Sequence, residues 1–200
     1  MQKPKLLIIT GPQGSGNHLY SKVFSKHPLV YGWRMQNYWE GHHSEPFNEY
    51  WQTPNKLNDF DWSQSEYYFT SVSSPYFKNG KPHYPKYKEF ITIAKQYADV
   101  SVAIIGRDKN ILQYQEQRVR GKSTYESALV SFEYLYSLDP VFISQELYQL
   151  YGNYYLRSIS KLLDFPILDQ ERGEDANAKY IHNIDGHWLD AEVLRAVKES

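Results

Sequence analysis

Short apolar runs alternate with longer amphipathic stretches along the chain. The first run, Leu6 to Ile9, is continuously apolar, which is typical of a central parallel strand covered on both faces. Two β-rich runs at 67–72 and 100–105 predict further strands, as do shorter runs at 29–31 and 140–144. Because strands alternate with helices, the pattern favours an α/β fold with a mainly parallel central sheet flanked by helices.

The remaining segments predict the helices and the organisation of the domain. Helical patterns occur at 15–27, 86–97, 109–119, 123–136, 146–163 and 188–198. Residues 33–65 show no sustained period and predict a loop-rich insertion, with 74–85 as a turn-rich stretch. We expect a single domain over 1–200, in which 169–200 form a C-terminal extension.

Composition narrows the class of protein. The chain has 200 residues, 41% of them hydrophobic and 22% charged, with a formal net charge of -1. We therefore expect a globular protein without the charge that selects nucleic acid or a membrane surface. The sequence has no cysteine, which excludes disulfides and thiolate chemistry. Since the apolar run before Gly11 is too short for a signal-peptide core or a membrane span, we expect a cytoplasmic location.

A glycine-rich loop joins the first strand to the first helix and has the outline G-x-x-x-x-G of a phosphate loop. Its glycines permit positive φ, so successive backbone amides can converge on an anion, and the helix start adds its dipole. The alternative is a plain glycine turn. The predicted anion-binding residues are Gly11, Pro12, Gln13, Gly14, Ser15, Gly16, Asn17 and His18.

The residues after the glycines disfavour magnesium-dependent chemistry. An ATP or GTP hydrolase needs Lys and then Ser or Thr after the last glycine, where this chain has Asn17 and His18. Such an enzyme also has an apolar strand that ends in a metal-binding Asp. Residues 102–108 come closest to this pattern, but Arg107 interrupts it. Adjacent His42 and His43 have no third ligand at a diagnostic spacing. We therefore expect no metal site.

Three segments resemble the sulfotransferase family. Ser15 to Asn17 match the Ser-Gly-Thr or Ser-Gly-Asn signature of the family's 5′-phosphosulfate loop. Residues 102–108 resemble its second signature, and 142–166 are similar to its following strand, turn and closing helix. The resemblance covers residues 6–167 and implies a three-layer P-loop NTPase-like fold. It also implies that 3′-phosphoadenosine 5′-phosphosulfate is the co-substrate, without metal, and that a sulfuryl group passes to a hydroxyl of a small-molecule or carbohydrate acceptor.

The resemblance assigns roles to four residues beyond the loop. Arg107 corresponds to the family's arginine that binds the 3′-phosphate, and Gln115 stands where the family has a serine for the same phosphate. Arg120 and Lys122 look like the basic segment that contacts that phosphate in cytosolic members, although they lie much nearer in sequence. Alternatively, these two cations lie on a solvent-exposed helix face and bind no ligand.

The chain also departs from the family pattern. Gly14 stands where the family loop usually carries Lys or Arg, and the usual histidine base has no clear match in 70–74. His18, in the first helical turn, is the candidate catalytic residue that would replace the lost cation, or else it only caps or packs. Either His83 or Glu40 would then serve as the general base. Two other functions stay open, a non-catalytic nucleotide-binding module and a divergent small-molecule kinase.

Aromatic residues suggest where an acceptor would bind. The rings near the histidine pair would stack on a hydroxylated acceptor or, alternatively, cap the sheet. They are Trp33, Tyr38, Trp39, Tyr50 and Trp51.

Overall fold

The five apolar runs form one parallel sheet. The structure, a computed structural model, describes residues 3–32 and 46–169. In chain order its strands are β1 (Lys5–Gly11), β2 (Val30–Tyr31), β3 (Tyr67–Ser73), β4 (Tyr76–Lys78), β5 (Lys81–His83), β6 (Asp99–Gly106) and β7 (Val141–Ser144). The five-stranded sheet has the order β2-β3-β1-β6-β7, and every neighbouring pair in it is parallel. The predicted α/β class with a parallel central sheet is confirmed.

Helices cover both faces of the sheet. They are α1 (Asn17–Ser25), α2 (Tyr87–Tyr97), α3 (Lys109–Arg120), α4 (Tyr125–Ser131), α5 (Glu133–Tyr136), α6 (Gln145–Tyr151) and α7 (Asn153–Leu163). Alternate residues of β1 point to opposite faces, as the pleat of a strand requires. Leu6 and Ile8 pack in a core with α2, α4 and α5. Leu7 and Ile9 pack in a second core with α1, α6 and α7.

Two predicted helices are each divided in two. The helix predicted over 146–163 is α6 followed by α7, because Gly152 between them adopts a φ of 53°. A glycine tolerates this conformation, and the change of direction ends the first helix there. The helix predicted over 123–136 is α4 followed by α5, with Phe132 between them. Phe132 is buried, so the chain bends around a core side chain.

The described part of the loop-rich segment contributes to the core. Residues 46–65 contain two 3₁₀ helices, Asn48–Trp51 and Pro54–Asp59. Trp51 is buried and stacks on Phe90 of α2, with ring centroids 3.9 Å apart and an interplanar angle of 16°. The interpretation of Trp51 as a sheet-capping residue is therefore correct, and its ring is not an acceptor surface.

The turn-rich stretch forms a small hairpin. Strands β4 and β5 pair antiparallel around Asn79 and Gly80, both with positive φ. Such a two-residue turn matches the twist of the flanking strands.

Several predictions fall outside the described residues. These are the aromatic and histidine run at 33–45, which includes Glu40, and the helix at 188–198. Among the described helices, none has the length and apolar character needed to cross a membrane.

Replacing Trp51 with alanine tests its place in the core. We expect Trp51→Ala to lower the free energy of unfolding by about 3–5 kcal/mol, because a large buried ring leaves a cavity. Tyr154→Ala is the control, since Tyr154 is 78% exposed, and it should change stability by less than about 0.5 kcal/mol. Denaturant titration measures both, and equal losses would contradict the core position of Trp51.

Candidate functional site

The glycine loop lies at the centre of the sheet's carboxyl edge. Strand β1 ends at Gly11, between the ends of β3 and β6, and α1 begins at Asn17. Gly14 has a φ of 81° and Gly16, the N-cap of α1, has a φ of 112°. Both values suit glycine alone, and they turn the chain so that α1 starts directly above the sheet. In open parallel sheets, ligands bind at this edge, beyond the carboxyl ends of the strands.

A buried side chain fixes the start of α1 to the sheet. Asn17 Nδ2 donates a hydrogen bond to Ser73 Oγ, at the end of β3, over 2.9 Å. One turn later, Ser21 Oγ lies 2.6 Å from Ser71 Oγ of the same strand. The amide of Ser74 donates to the carbonyl oxygen of Gly11 over 3.0 Å. The helix start and the loop are thus held in a fixed orientation against β3.

Buried hydroxyl groups support the loop from the α2 side. Thr10 Oγ1 lies 2.6 Å from the hydroxyl of Tyr87, and Ser74 Oγ lies 2.5 Å from Ser131 Oγ. Burial raises the pKa of Tyr87 and keeps its hydroxyl protonated. These groups therefore act as neutral hydrogen-bonding partners beneath the loop.

Arg107 brings a positive charge to the loop. It follows β6 and is buried, and its Nη1 donates to the carbonyl oxygen of Gly14 over 3.4 Å. Gly14 stands where the loop of the sulfotransferase family usually carries Lys or Arg. The neighbouring strand therefore supplies a guanidinium beside the place where the loop itself has none.

The side chain of Gln115 also lies beside the loop. It lies on α3, whose start is capped by the Asp108 side chain. A side chain at Gly14 would collide with the Gln115 carboxamide oxygen. Because Gly14 has no side chain, the Gln115 carboxamide can pack against the loop backbone at this position.

Gln145 is a residue that the sequence analysis missed. It is the first residue of α6, directly after β7, and it is only 3% exposed. Its Oε1 lies 2.5 Å from where a Cβ on Gly16 would be. The convergence of strand ends at one edge of a parallel sheet was the signal that could have located it, because β7 ends where β1 and β6 end.

Three carboxamide oxygens around the loop have no hydrogen-bond partner among the described residues. They are buried, and they belong to Asn17, Gln115 and Gln145. Because buried polar atoms are nearly always paired in native proteins, these three acceptors make the loop the candidate site for a polar ligand.

His18 lies in the first turn of α1 and is half-buried. Burial, and secondarily the charge of Lys22, lower its pKa below the ordinary value of 6.5. Without a ligand, its imidazole is therefore neutral near neutral pH. A bound anion would favour the charged form and raise the pKa again.

Of the other two predicted cations, the structure describes the side chain of Lys122 alone. Lys122 is exposed in the turn after α3, and no contact between it and the loop is found in the described structure. The side chain of Arg120 lies outside what the structure describes. His83, a candidate base, stacks on Tyr76 in the β4–β5 hairpin with ring centroids 5.7 Å apart.

A small cavity lies towards the opposite edge of the sheet. Its volume is about 150 Å³, and it is lined by residues that include Lys95, Val100, Asp139, Val141 and Leu162. Ligand pockets usually measure about 300–1,000 Å³, so this cavity is too small for a nucleotide. Within residues 3–32 and 46–169, no group of three or more His, Asp or Glu side chains could hold a metal ion.

No protein-family model, curated protein or solved structure matches the chain. The case for a function therefore rests on the geometry of the loop and on the residues that surround it.

Two glycine substitutions test how tightly the loop is packed. A Cβ at Gly11 would lie 3.1 Å from both the Cβ and the carbonyl oxygen of Ile105. We expect Gly11→Ala to cost about 1–3 kcal/mol, because the backbone of β6 cannot move away cheaply. At Gly106, the nearest atom would be 3.8 Å away, so Gly106→Ala should change stability by less than about 0.5 kcal/mol. Equal effects in denaturant titrations would contradict the close approach at Gly11.

Proposed function

We propose that the protein is a sulfotransferase-like enzyme, which moves a sulfuryl group from 3′-phosphoadenosine 5′-phosphosulfate to a hydroxyl acceptor. The observation that carries this proposal is the glycine loop at the carboxyl edge of the sheet, with the buried Arg107 beside Gly14. Asn17 and His18 stand where a magnesium-dependent enzyme needs Lys and a metal-binding hydroxyl. An anion site without these ligands favours metal-free group transfer.

The arrangement of strands supports a P-loop NTPase-like fold as part of this proposal. Strand β1, which carries the loop, lies in the middle of five parallel strands between β3 and β6. The strand, the glycine-rich loop and the helix follow one another in the order that a phosphate loop requires.

The residues present fit the phosphosulfate end of the co-substrate. The loop amides of residues 13, 14 and 16–18 at the start of α1 would hold its 5′-phosphate, while the amide of Ser15 donates to the carbonyl oxygen of Pro12. When bound, the co-substrate would supply an activated sulfuryl group: an acceptor hydroxyl oxygen would form a bond to its sulfur while the bond from sulfur to the 5′-phosphate breaks in line, and a general base would take the hydroxyl proton. The same amides would stabilise the negative charge that grows on the phosphate as the bond to sulfur breaks.

Arg107 would act at this phosphate. The family resemblance assigns the arginine to the 3′-phosphate, but its contact with the Gly14 carbonyl places the guanidinium at the loop. In this position it replaces the cation that the loop lacks. His18 would add a second charge once the anion raises its pKa.

A non-catalytic nucleotide-binding module is the second candidate. It is favoured by Gly14, which stands where the family has a cation, and by residues 70–74, in which the family's histidine base has no clear match. A protein of this kind would bind the nucleotide without transferring a group.

Calorimetry separates these functions. We expect adenosine 3′,5′-bisphosphate to bind without a divalent metal, and ATP not to gain affinity when magnesium is added. Binding of ATP that requires magnesium would contradict the proposal and favour the kinase. Binding of the bisphosphate without turnover on any hydroxylated acceptor would favour the non-catalytic module.

Removing Arg107 tests its position. Arg107→Ala should weaken the binding of adenosine 3′,5′-bisphosphate and of adenosine 5′-phosphate by the same factor, about tenfold to a hundredfold. Both nucleotides carry the 5′-phosphate, and the variant loses a charge-assisted contact to that group. Arg157→Ala is the control, since Arg157 lies on α7 and pairs with Asp169 at the surface. If only the bisphosphate loses affinity, Arg107 contacts the 3′-phosphate and its proposed position at the 5′-phosphate is wrong.

A further inference from the structure

Gln145 presents a buried hydrogen-bond acceptor to the start of α1. Its side chain is 3% exposed, and its Oε1 faces Gly16, the N-cap of α1. No described residue donates a hydrogen bond to this oxygen. A buried acceptor that stays unpaired destabilises the folded state, so a ligand that pairs with it gains affinity.

The rest of the loop offers hydrogen-bond donors. The first amides of α1 have no partners within the helix, and Arg107 adds its guanidinium beside Gly14. Donors of this kind suit the oxygens of an oxyanion, whereas Gln145 Oε1 needs a hydrogen from the ligand. An oxyanion that carries its own hydrogen satisfies both kinds of group.

The orientation of a neighbouring carboxamide supports an acceptor role on this side of the loop. Asn17 Nδ2 lies within hydrogen-bond distance of the carbonyl oxygen of Gly11 and of Ser73 Oγ. Its amide nitrogen therefore faces the sheet, and its Oδ1 is a second buried acceptor without a described partner. The start of α1 thus combines amide donors that have no partner within the helix with two carboxamide acceptors that have no described partner.

We propose that Gln145 is a ligand-binding residue that accepts a hydrogen bond from a hydrogen carried by the oxyanion at the glycine loop. The subsite then prefers a hydrogenphosphate-type group to a sulfate-type group of the same charge. This inference rests on the proposed function only in placing an oxyanion at the loop. It adds a specificity for a phosphate that carries its own hydrogen, which the 5′-phosphate left after transfer does in its singly protonated form and the phosphosulfate of the co-substrate does not.

Inorganic phosphate and sulfate are matched probes for this preference. In mildly alkaline solution, both are dianions of similar size and shape, but only hydrogenphosphate carries a hydrogen. Titration calorimetry of the wild-type protein should show phosphate binding about tenfold more tightly than sulfate, because one hydrogen bond to a charged group is gained. Equal affinities, or a preference for sulfate, would overturn the inference without any variant.

Gln145→Met then removes the acceptor while keeping a side chain of similar length. We expect the ratio of phosphate to sulfate affinity to fall about tenfold, with sulfate binding retained. Sulfate binding also reports that the loop of the variant is intact. Gln149→Met is the control, because Gln149 is a half-buried carboxamide one turn further along α6, and it should leave the ratio unchanged.

The outcomes separate this inference from the proposed function. If the wild-type ratio exceeds one but is unchanged in Gln145→Met, another residue provides the acceptor and the role of Gln145 is refuted. If adenosine 3′,5′-bisphosphate, phosphate and sulfate all fail to bind the wild-type protein, the loop is not an oxyanion site and the proposed function fails as well.

Discussion

The hydrogen bond from Asn17 to Ser73 determines the geometry of the whole site. It ties the first residue of α1 to the end of β3, so that the first amides of the helix lie above the carboxyl edge of the sheet. The conformation of Gly16 makes this possible, because its φ of 112° turns the chain from the loop into the helix. Together with the Ser21–Ser71 contact and the hydrogen bond from Ser74 to Gly11, this anchor fixes the direction in which the donors of the loop point.

Around this anchor, groups from three other parts of the chain converge on the loop. Arg107 comes from the end of β6, Gln115 from α3, and Gln145 from the start of α6. Arg107 and Gln145 directly follow strands of the same parallel sheet, and Gln115 lies on the helix after β6, so all three side chains come to the same edge. The result is a donor-rich loop with one buried cation and several neutral carboxamides, which differs from the lysine and hydroxyl pair of magnesium-dependent enzymes.

Local patterns in the sequence predict most of the fold, but they predict only part of the site. The continuous apolar run at Leu6 to Ile9 predicts a buried strand, and the three glycines that follow it predict a turn from that strand into a helix. The sequence does not show that Gly152 divides a helix, because glycine is tolerated within helices and its φ depends on tertiary packing. Nor does it show that Gln145 faces Gly16, since that contact joins residues 129 positions apart through the order of the strands.

The central claim is that the start of α1 binds an oxyanion without metal, and backbone amide chemical shifts test it most directly. Adenosine 3′,5′-bisphosphate would be titrated into isotope-labelled protein in the presence of a chelator. The account predicts that the largest shifts occur at the amides of Gly14, Gly16 and Asn17, because these groups would donate to the phosphate. No shifts, or shifts centred on the small cavity near Val100 and Asp139, would contradict it.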